Sequence, residues 1–336
     1  MDMFRIAAIG PGSICRTYAE ALKESKTVKL SAIAGRDTQK GRHMAAEYAV
    51  PYYTEVETMF CSEQPDAVLI CTPTFTHKEM VEKALEYRIS IMCEKPFVLK
   101  SETARHLFAS AEVNRVPIMV MQVVRFWSEY VKIRELIVDG SLGKIKNVYI
   151  NRLSSHPTWT EWHRDPEKSG GGLYDLNIHD IDYLYHVFGK VAEVYSAGRK
   201  EPSGCYNNVS TVIRFACGVS AVAEGFMDMT GAYPFSTNVR ICGDRASVEY
   251  LNREVYLRDG REDRADGLIL YETGKKPQAL GPESYNPYRR EVEYFADCVR
   301  NHKKTDLVPS GDIIAVLKIL EAITESLETG KPVSVT

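Results

Sequence analysis

The stretch Phe4-Arg5-Ile6-Ala7-Ala8-Ile9-Gly10-Pro11-Gly12-Ser13-Ile14-Cys15 decides how the rest of the chain is read. An apolar run stops at Gly10, a second glycine follows at Gly12, and a helical pattern begins near Ile14. A strand that turns tightly on glycine into a helix leaves bare backbone where an anion can approach the helix N-terminus. Gly10, Gly12, Ser13 and Ile14 are therefore candidate contacts to the pyrophosphate of a dinucleotide. The third glycine position of that fingerprint holds Cys15, which is small enough to serve the same helix–strand packing. A glycine pair alone also marks ordinary turns, so its place between the first strand and the first helix carries the reading.

Working outward, strand-like runs at Phe4–Ile9, Val28–Ala34, Ala67–Cys71, Ser90–Cys93 and Val116–Met121 alternate with helical patterns. The helices are expected from Ile14, over Thr38–Tyr48 and Thr76–Tyr87, and from an N-cap at Ser101 through Asn114. Short, wholly apolar strands separated by helices predict a parallel sheet covered on both faces. Such a sheet places ligands beyond the carboxyl ends of its strands. The second half has strand-like runs at Ile145–Leu153, Val191–Ala197, Val209–Phe215, Val219–Phe226, Thr237–Cys242 and Ala246–Tyr250, and closing helices near Pro287–Asn301 and Asp312–Thr329. There is no internal repeat or low-complexity linker.

At 336 residues the chain has room for two domains with their own cores. A net charge of −3 gives no basic footprint for nucleic acid. The strongest apolar segment, Val116–Val124, is interrupted by Gln122 and falls short of the ~20 residues a membrane span needs. The start carries Asp2 and no apolar run long enough for a signal peptide, so a cytoplasmic location is expected. Cys15, Cys61, Cys71, Cys93, Cys205, Cys217, Cys242 and Cys298 are scattered, with no CxxC pair. They read as buried reduced thiols, and neither disulfides nor a metal site is expected.

The informative residues follow the strands. After the second strand stand Gly35-Arg36-Asp37: Arg36 is a guanidinium able to clamp a 2′-phosphate, while Asp37 can take the place of the acid that binds a ribose. This favours NADP over NAD as cofactor. After the third strand comes Cys71-Thr72-Pro73-Thr74-Phe75-Thr76-His77, and after the fourth Cys93-Glu94-Lys95-Pro96. Further on lies Gly170-Gly171-Gly172-Leu173-Tyr174-Asp175-Leu176-Asn177-Ile178-His179-Asp180. Together these resemble the Gfo/Idh/MocA family, the glucose–fructose oxidoreductases and inositol dehydrogenases, over nearly the whole chain.

The resemblance implies an α/β protein: an N-terminal Rossmann domain over 1–123, then a C-terminal α/β domain over 124–336 with a large open, mostly antiparallel sheet for substrate binding and oligomerisation. It implies an NAD(P)-dependent dehydrogenase acting on a small-molecule sugar, cyclitol or polyol, assembled as a homodimer or homotetramer. Cofactor contacts would come from the glycine turn, Arg36, Asp37, Cys71, Thr72, Pro73, Thr74, His77, Glu94, Lys95 and Gln122. Lys95, Asp175 and His179 correspond to the family's catalytic set.

Oxidising a secondary alcohol needs a hydride acceptor, a base for the hydroxyl proton and a donor to hold the oxygen. Asp175 and His179, four residues apart, project from one face of a helix, where a carboxylate orients an imidazole. His179 is favoured as base and Lys95 as hydrogen-bonding partner. Arg125, Trp162, His163 and Tyr288 are candidate substrate contacts. His77, His156 and His163 lack the spacing of metal ligands, Asp182 and His186 read as structural or rim residues, and Trp127 as core. Asn177, where many family members carry glycine, and Asp180 after His179 hint at a polyhydroxylated substrate. Two other readings of the same fold are a glycosidase using tightly bound NAD for transient redox and a non-enzymatic regulator sensing a dinucleotide or sugar.

Overall fold

In the computed structural model the first half runs β1 (Phe4–Ile9), α1 (Ser13–Leu22), β2 (Val28–Ala34), α2 (Gln39–Glu47), β3 (Tyr52–Tyr53), α3 (Val56–Glu63), β4 (Ala67–Ile70), α4 (His77–Glu86), β5 (Ser90–Glu94), α5 (Ser101–Asn114) and β6 (Ile118–Met121). The second half runs α6 (Ser128–Val138), β7 (Ile145–Leu153), α7 (Pro166–Ser169), α8 (Ile178–Phe188), β8 (Val191–Lys200), β9 (Tyr206–Phe215), β10 (Ser220–Phe226), β11 (Ser236–Gly243), β12 (Ala246–Tyr256), β13 (Glu262–Glu272), β14 (Gln278–Leu280), α9 (Pro287–Arg300), α10 (Ser310–Thr329) and β15 (Val333–Ser334). The structure describes residues 2–36, 38–155, 161–256 and 262–335, with the backbone alone for 254–256 and 262–265. The chain divides into two units, one of residues 1–126 with 285–314, the other of 127–284 with 315–336.

The first unit holds a six-stranded sheet in the order β3-β2-β1-β4-β5-β6, every pair parallel. This is the doubly wound Rossmann order, whose direction of winding reverses between β1 and β4 and opens a ligand crevice beyond their carboxyl ends. The strands are wholly apolar where they are central: Ile6 through Ile9, Ala67 through Ile70 and Ile91 through Cys93 are all buried. Gly10 closes β1 at φ +92°, and a Cβ there would stand 2.8 Å from both Cys71 O and Thr72 N. No side chain fits, so the ends of β1 and β4 come together on bare backbone.

Several expected boundaries move. The fifth strand starts at Ile118 rather than Val116, because Arg115 ends α5 in the left-handed conformation at φ 55° and Pro117 has no N–H to donate. Ser101 is the first residue of α5, buried, and the N-cap position is Lys100. Of the thiols expected to be buried, Cys61, Cys217 and Cys242 are exposed.

The second unit holds a nine-stranded sheet, β14-β13-β12-β11-β7-β10-β9-β8-β15, antiparallel except for the β7–β10 pair. Alternation sorts its faces. Val148, Ile150 and Arg152 of β7 are buried, while Tyr149, Asn151 and Leu153 on the opposite face are partly exposed.

Arg152 is the unexpected member of the buried row. Its Nε and Nη2 reach Asp180 Oδ1 of α8 at 3.2 and 2.8 Å, and Nη2 also donates to the Tyr130 hydroxyl of α6 at 3.1 Å. Tyr130 Oη lies 2.9 Å from Thr237 Oγ1 of β11, and Tyr183 Oη of α8 donates to Tyr130 O. One guanidinium thus ties both helices to the sheet. Burial raises the Asp180 carboxyl above its ordinary value, with Arg152 pulling against the shift. Removing one partner strands the other charge in the core, so Asp180→Ala is expected to cost about 3–5 kcal/mol. Urea unfolding followed by fluorescence checks this, and a loss under about 1 kcal/mol would show that the pair does not hold the helices.

Candidate functional site

The carboxyl ends of the parallel strands supply the first group of candidate residues. Gly12 caps α1, and a Cβ built on it would meet nothing within 4 Å, so the backbone at the helix N-terminus faces open space. That is the clearance a pyrophosphate requires. Gln122, next after β6, is buried, and its Oε1 has no hydrogen-bond partner among the described residues. A buried amide oxygen awaiting a donor, together with the open glycine turn, fits a bound dinucleotide.

Arg36 is exposed beyond β2, and Tyr52 Oη holds its carbonyl at 2.7 Å. The Arg42 guanidinium lies 5.7 Å from the Tyr52 ring centroid, and Gln39, Lys40, Arg42 and His43 line a surface hollow on α2. Asp37 and His156 lie outside the described residues.

The loop after β4 is built on its own threonines. Thr76 Oγ1 donates to Pro73 O at 2.7 Å and lies 2.8 Å from Thr72 Oγ1. His77 then begins α4, fully buried, with its ring among three backbone carbonyls. Nε2 is 2.8 Å from Thr72 O, and Nδ1 is 3.0 Å from Pro96 O and 3.2 Å from Phe97 O. One imidazole therefore joins the loop after β4 to the loop after β5. Burial holds its pKa below the ordinary histidine value, against the pull of the three carbonyls.

In the loop after β5, Glu94 is buried and accepts from the Lys95 backbone N–H at 3.1 Å and from Tyr18 Oη at 2.9 Å. Lys95 itself is partly exposed, and the Lys95–Pro96 peptide is cis. Two residues proposed for substrate make contacts within the first unit. Arg125 is buried, donating to Leu307 O and pairing with Asp312, both at 2.8 Å. Tyr288 packs edge-on against Tyr18, ring centroids 5.2 Å apart.

In the second unit the glycine-rich lead-in is fixed by side chains remote in sequence. Gly172 N donates to Asn207 Oδ1 at 2.9 Å, and Asn207 Nδ2 donates to Asp228 Oδ2 at 2.7 Å. The chain then makes a widened π-helical turn, Leu173–Asn177, that continues as α8. Single π-turns within α-helices recur at functional sites. Asp175 lies in this turn and His179 in the first turn of α8, both partly exposed on a helix whose neighbouring residues Asn177, Ile178 and Asp180 are buried. Trp162 and His163 stack with centroids 4.0 Å apart in the short 3₁₀ turn Trp162–Arg164, and His163 O accepts from Ser169 Oγ at 2.8 Å.

Asn177 and Asp180, the residues from which a polyhydroxylated substrate was read, are both buried. Asp180 is spent on Arg152. Asn177 is buried against β10, where a Cβ on Gly225 would stand 2.5 Å from its Nδ2, so the glycine is what admits the π-turn. Four contributors to the site region were missed from sequence: Tyr18, Glu291, Asn207 and Arg152. Tyr18 and Arg152 read as ordinary helix and strand residues, and no spacing rule links Tyr18 to a partner 273 positions away.

Residues 4–122 match the Gfo/Idh/MocA oxidoreductase family with its NAD-binding Rossmann fold, and residues 130–249 match the C-terminal domain of the same family. An inositol 2-dehydrogenase of Rhizobium meliloti is 25% identical over 98% of this chain and 99% of its own. A 2,7-anhydro-N-acetylneuraminate hydratase of Mediterraneibacter gnavus is 29% identical over 56% of this chain and 50% of its own. In three dimensions the chain is similar to an aldose–aldose oxidoreductase of Caulobacter crescentus complexed with glycerol, at a TM-score of 0.87 and 18% identity, over 99% of this chain and all of that one.

The clasp made by His77 has a pH signature. Its folded pKa lies below the value of about 6.5 it takes when unfolded, so between the two the unfolded chain binds the extra proton. The stability it contributes is complete above about pH 6.5 and is lost as pH falls through the folded value. Between about pH 7.5 and about 5.5, the unfolding free energy of the native protein is expected to drop more than that of His77→Gln. Equal drops in urea titrations at the two pH values would remove the histidine from this account.

Proposed function

The chain belongs to the Gfo/Idh/MocA oxidoreductase family, and from that membership and the site geometry we propose how it acts as an NAD(P)-dependent dehydrogenase of CH–OH groups. The substrate is a sugar, cyclitol or related polyol, oxidised at a secondary alcohol or formed by reduction of the matching ketone. One observation carries the cofactor side of this reading. The open backbone at Gly12 and the buried acceptor of Gln122 stand beyond the carboxyl ends of one parallel sheet. The inositol dehydrogenase relationship, running the full length of both chains, supports the polyol class.

Residues 1–123 are assigned to dinucleotide binding and 124–336 to substrate binding and oligomerisation, as a cytoplasmic homodimer or homotetramer. Gly10, Gly12, Ser13 and Ile14 would hold the pyrophosphate. Cys71, Thr72, Pro73, Thr74, His77, Glu94 and Gln122 would frame the nicotinamide end. When bound, the nicotinamide supplies the hydride acceptor or donor.

The chain's own groups do the proton work. Lys95 Nζ donates to the reacting oxygen and steadies the charge that develops there. His179 takes the hydroxyl proton, and Asp175 orients the ring and supports its protonated form. Trp162, His163 and Tyr288 are the proposed outer substrate contacts. Arg125, committed to Asp312, acts in this reading by shaping the segment after Gln122.

NADP is the proposed cofactor over NAD. Arg36 is exposed at the end of β2, where a 2′-phosphate would lie, with Lys40, Arg42 and His43 on the following helix.

Near-ultraviolet absorbance with NAD+ or NADP+ against a panel of cyclitols, sugars and sugar acids tests the reading. Lys95→Ala is expected to lower kcat at least about a hundredfold. Arg36→Ala is expected to cut kcat/KM for NADP+ about tenfold while leaving that for NAD+ near its starting value. Retention of bound cofactor with no net reduction of added NAD(P)+ would instead indicate transient redox, as in a glycosidase.

A further inference from the structure

β3 is only two residues long, yet both of them hold the segment that leaves β2. The strands pair through Ile33–Tyr52 and Ala34–Tyr53, and Gly35 N donates to Tyr53 O at 3.0 Å. One residue further on, Tyr52 Oη donates to Arg36 O at 2.7 Å. Two consecutive residues are thus fixed, Gly35 by its N–H and Arg36 by its carbonyl.

Two glycines leave room for the tyrosine to reach that carbonyl. A Cβ on Gly41, in the first turn of α2, would stand 2.2 Å from Tyr52 Oη, 2.6 Å from its Cζ and 2.8 Å from its Cε2. A Cβ on Gly35 would stand 3.2 Å from the same Oη and 2.5 Å from Pro11 Cδ. Neither glycine has a positive φ, so clearance and not backbone freedom is what each supplies. Gly41 N donates to Oγ1 of the N-cap residue Thr38 at 3.1 Å, which starts α2 against the tyrosine, and the Arg42 guanidinium lies over the ring, 5.7 Å from its centroid. Arg36 itself is exposed. A long, exposed arginine loses conformational freedom when it clamps a phosphate, and fixing its backbone beforehand lowers that cost. NAD carries a hydroxyl where NADP carries the 2′-phosphate, so the saving falls on NADP alone.

We propose that Tyr52 is a positioning residue that sets cofactor specificity: its hydroxyl tethers Arg36 by the carbonyl so that the guanidinium meets the 2′-phosphate of NADP, and Gly41 is small so that the tether can form. The role rests on the reading of Arg36 as the 2′-phosphate clamp. Tyr52 does not touch the cofactor in this account; it acts through the arginine.

Adenosine 2′,5′-bisphosphate and adenosine 5′-monophosphate, which differ by that phosphate alone, are titrated calorimetrically into the native protein, Tyr52→Phe, Gly41→Ala, Arg36→Ala and the double variant Arg36→Ala/Tyr52→Phe. Tyr52→Phe keeps the ring and removes only the hydroxyl. Gly41→Ala keeps the hydroxyl and displaces it, while alanine is the better helix former. Each is expected to weaken binding of the bisphosphate about fivefold and to leave the monophosphate within about twofold of native. In the Arg36→Ala background Tyr52→Phe is expected to cost nothing further, because the tether then holds no guanidinium. Amide hydrogen exchange over residues 35–41 is expected to quicken in Tyr52→Phe and Gly41→Ala while the melting temperature stays near native. Equal losses for both nucleotides, or additive losses in the double variant, would overturn the specificity role. Unchanged exchange over 35–41 would overturn the tether. If Arg36→Ala binds the bisphosphate as tightly as the native protein, the clamp reading fails and the specificity role falls with it, while the exchange rates still decide whether Tyr52 holds Arg36.

Discussion

Parallel pairing of the six strands in the first unit is the constraint from which its functional layout follows. Every strand of that sheet ends on the same edge, so each loop that leaves a carboxyl end delivers its residues there. Gly10, Gly35, Cys71, Lys95 and Gln122 come from five separate stretches, yet all lie at or just beyond that edge. Parallel strands need crossover helices, which cover both faces and exclude polar side chains from the sheet. The polar chemistry is left to the edge. This division explains why β1, β4 and β5 are almost uninterrupted runs of buried apolar residues while the loops after them are rich in threonine, histidine, glutamate and lysine.

The second unit solves a different problem. A mostly antiparallel sheet does not gather its strand ends, so its candidate residues are carried by a short 3₁₀ turn, Trp162–Arg164, and by the π-turn and helix that follow. Arg152 supplies the attachment from the strand side, and the π-turn Leu173–Asn177 sets how Asp175 is presented relative to His179. The small Gly225 beneath Asn177 allows the close approach. Buried ion pairs contribute little net stability compared with apolar packing, but they specify one arrangement over others. Here the arrangement specified is that of the helix bearing the Asp–His pair.

Much of this was legible in the sequence because it is written locally. The glycine turn and the four- to seven-residue apolar runs each depend on neighbours within a few positions and reappear in the structure, whereas Asp175 lies in the π-turn before the helix that carries His179. What was not legible depends on partners far apart. Tyr18 reads as an ordinary helix aromatic until Glu94 and Glu291 are brought to it. Arg152 shares its side of the strand with Val148 and Ile150, but only the folded chain brings Asp180 and Tyr130 to receive its charge. Arg125 reads as a binding residue because nothing nearby announces Asp312. The short elements β3 and α3 were missed because a two-residue strand and an eight-residue helix carry too little periodicity to stand out. Asn177 and Asp180 pointed to a polyhydroxylated substrate, the class that the inositol dehydrogenase relationship supports, but their own burial could not be read from the sequence.

The first unit is assembled from two pieces of chain separated by most of the second, and the later piece, 285–314, brings both Glu291 and Asp312. During synthesis those residues leave the ribosome long after strands β1 through β6 have emerged. Until then Arg125 has no Asp312 and Tyr18 has no Glu291. The nascent sheet must wait with two incomplete polar clusters, one completed by α9, which carries Glu291, and the other by the start of α10, which carries Asp312. Vectorial synthesis therefore separates the making of the parallel sheet from the completion of its polar clusters, so a ribosome stalled before α9 would hold the framework of a cofactor domain that still awaits Glu291 and Asp312.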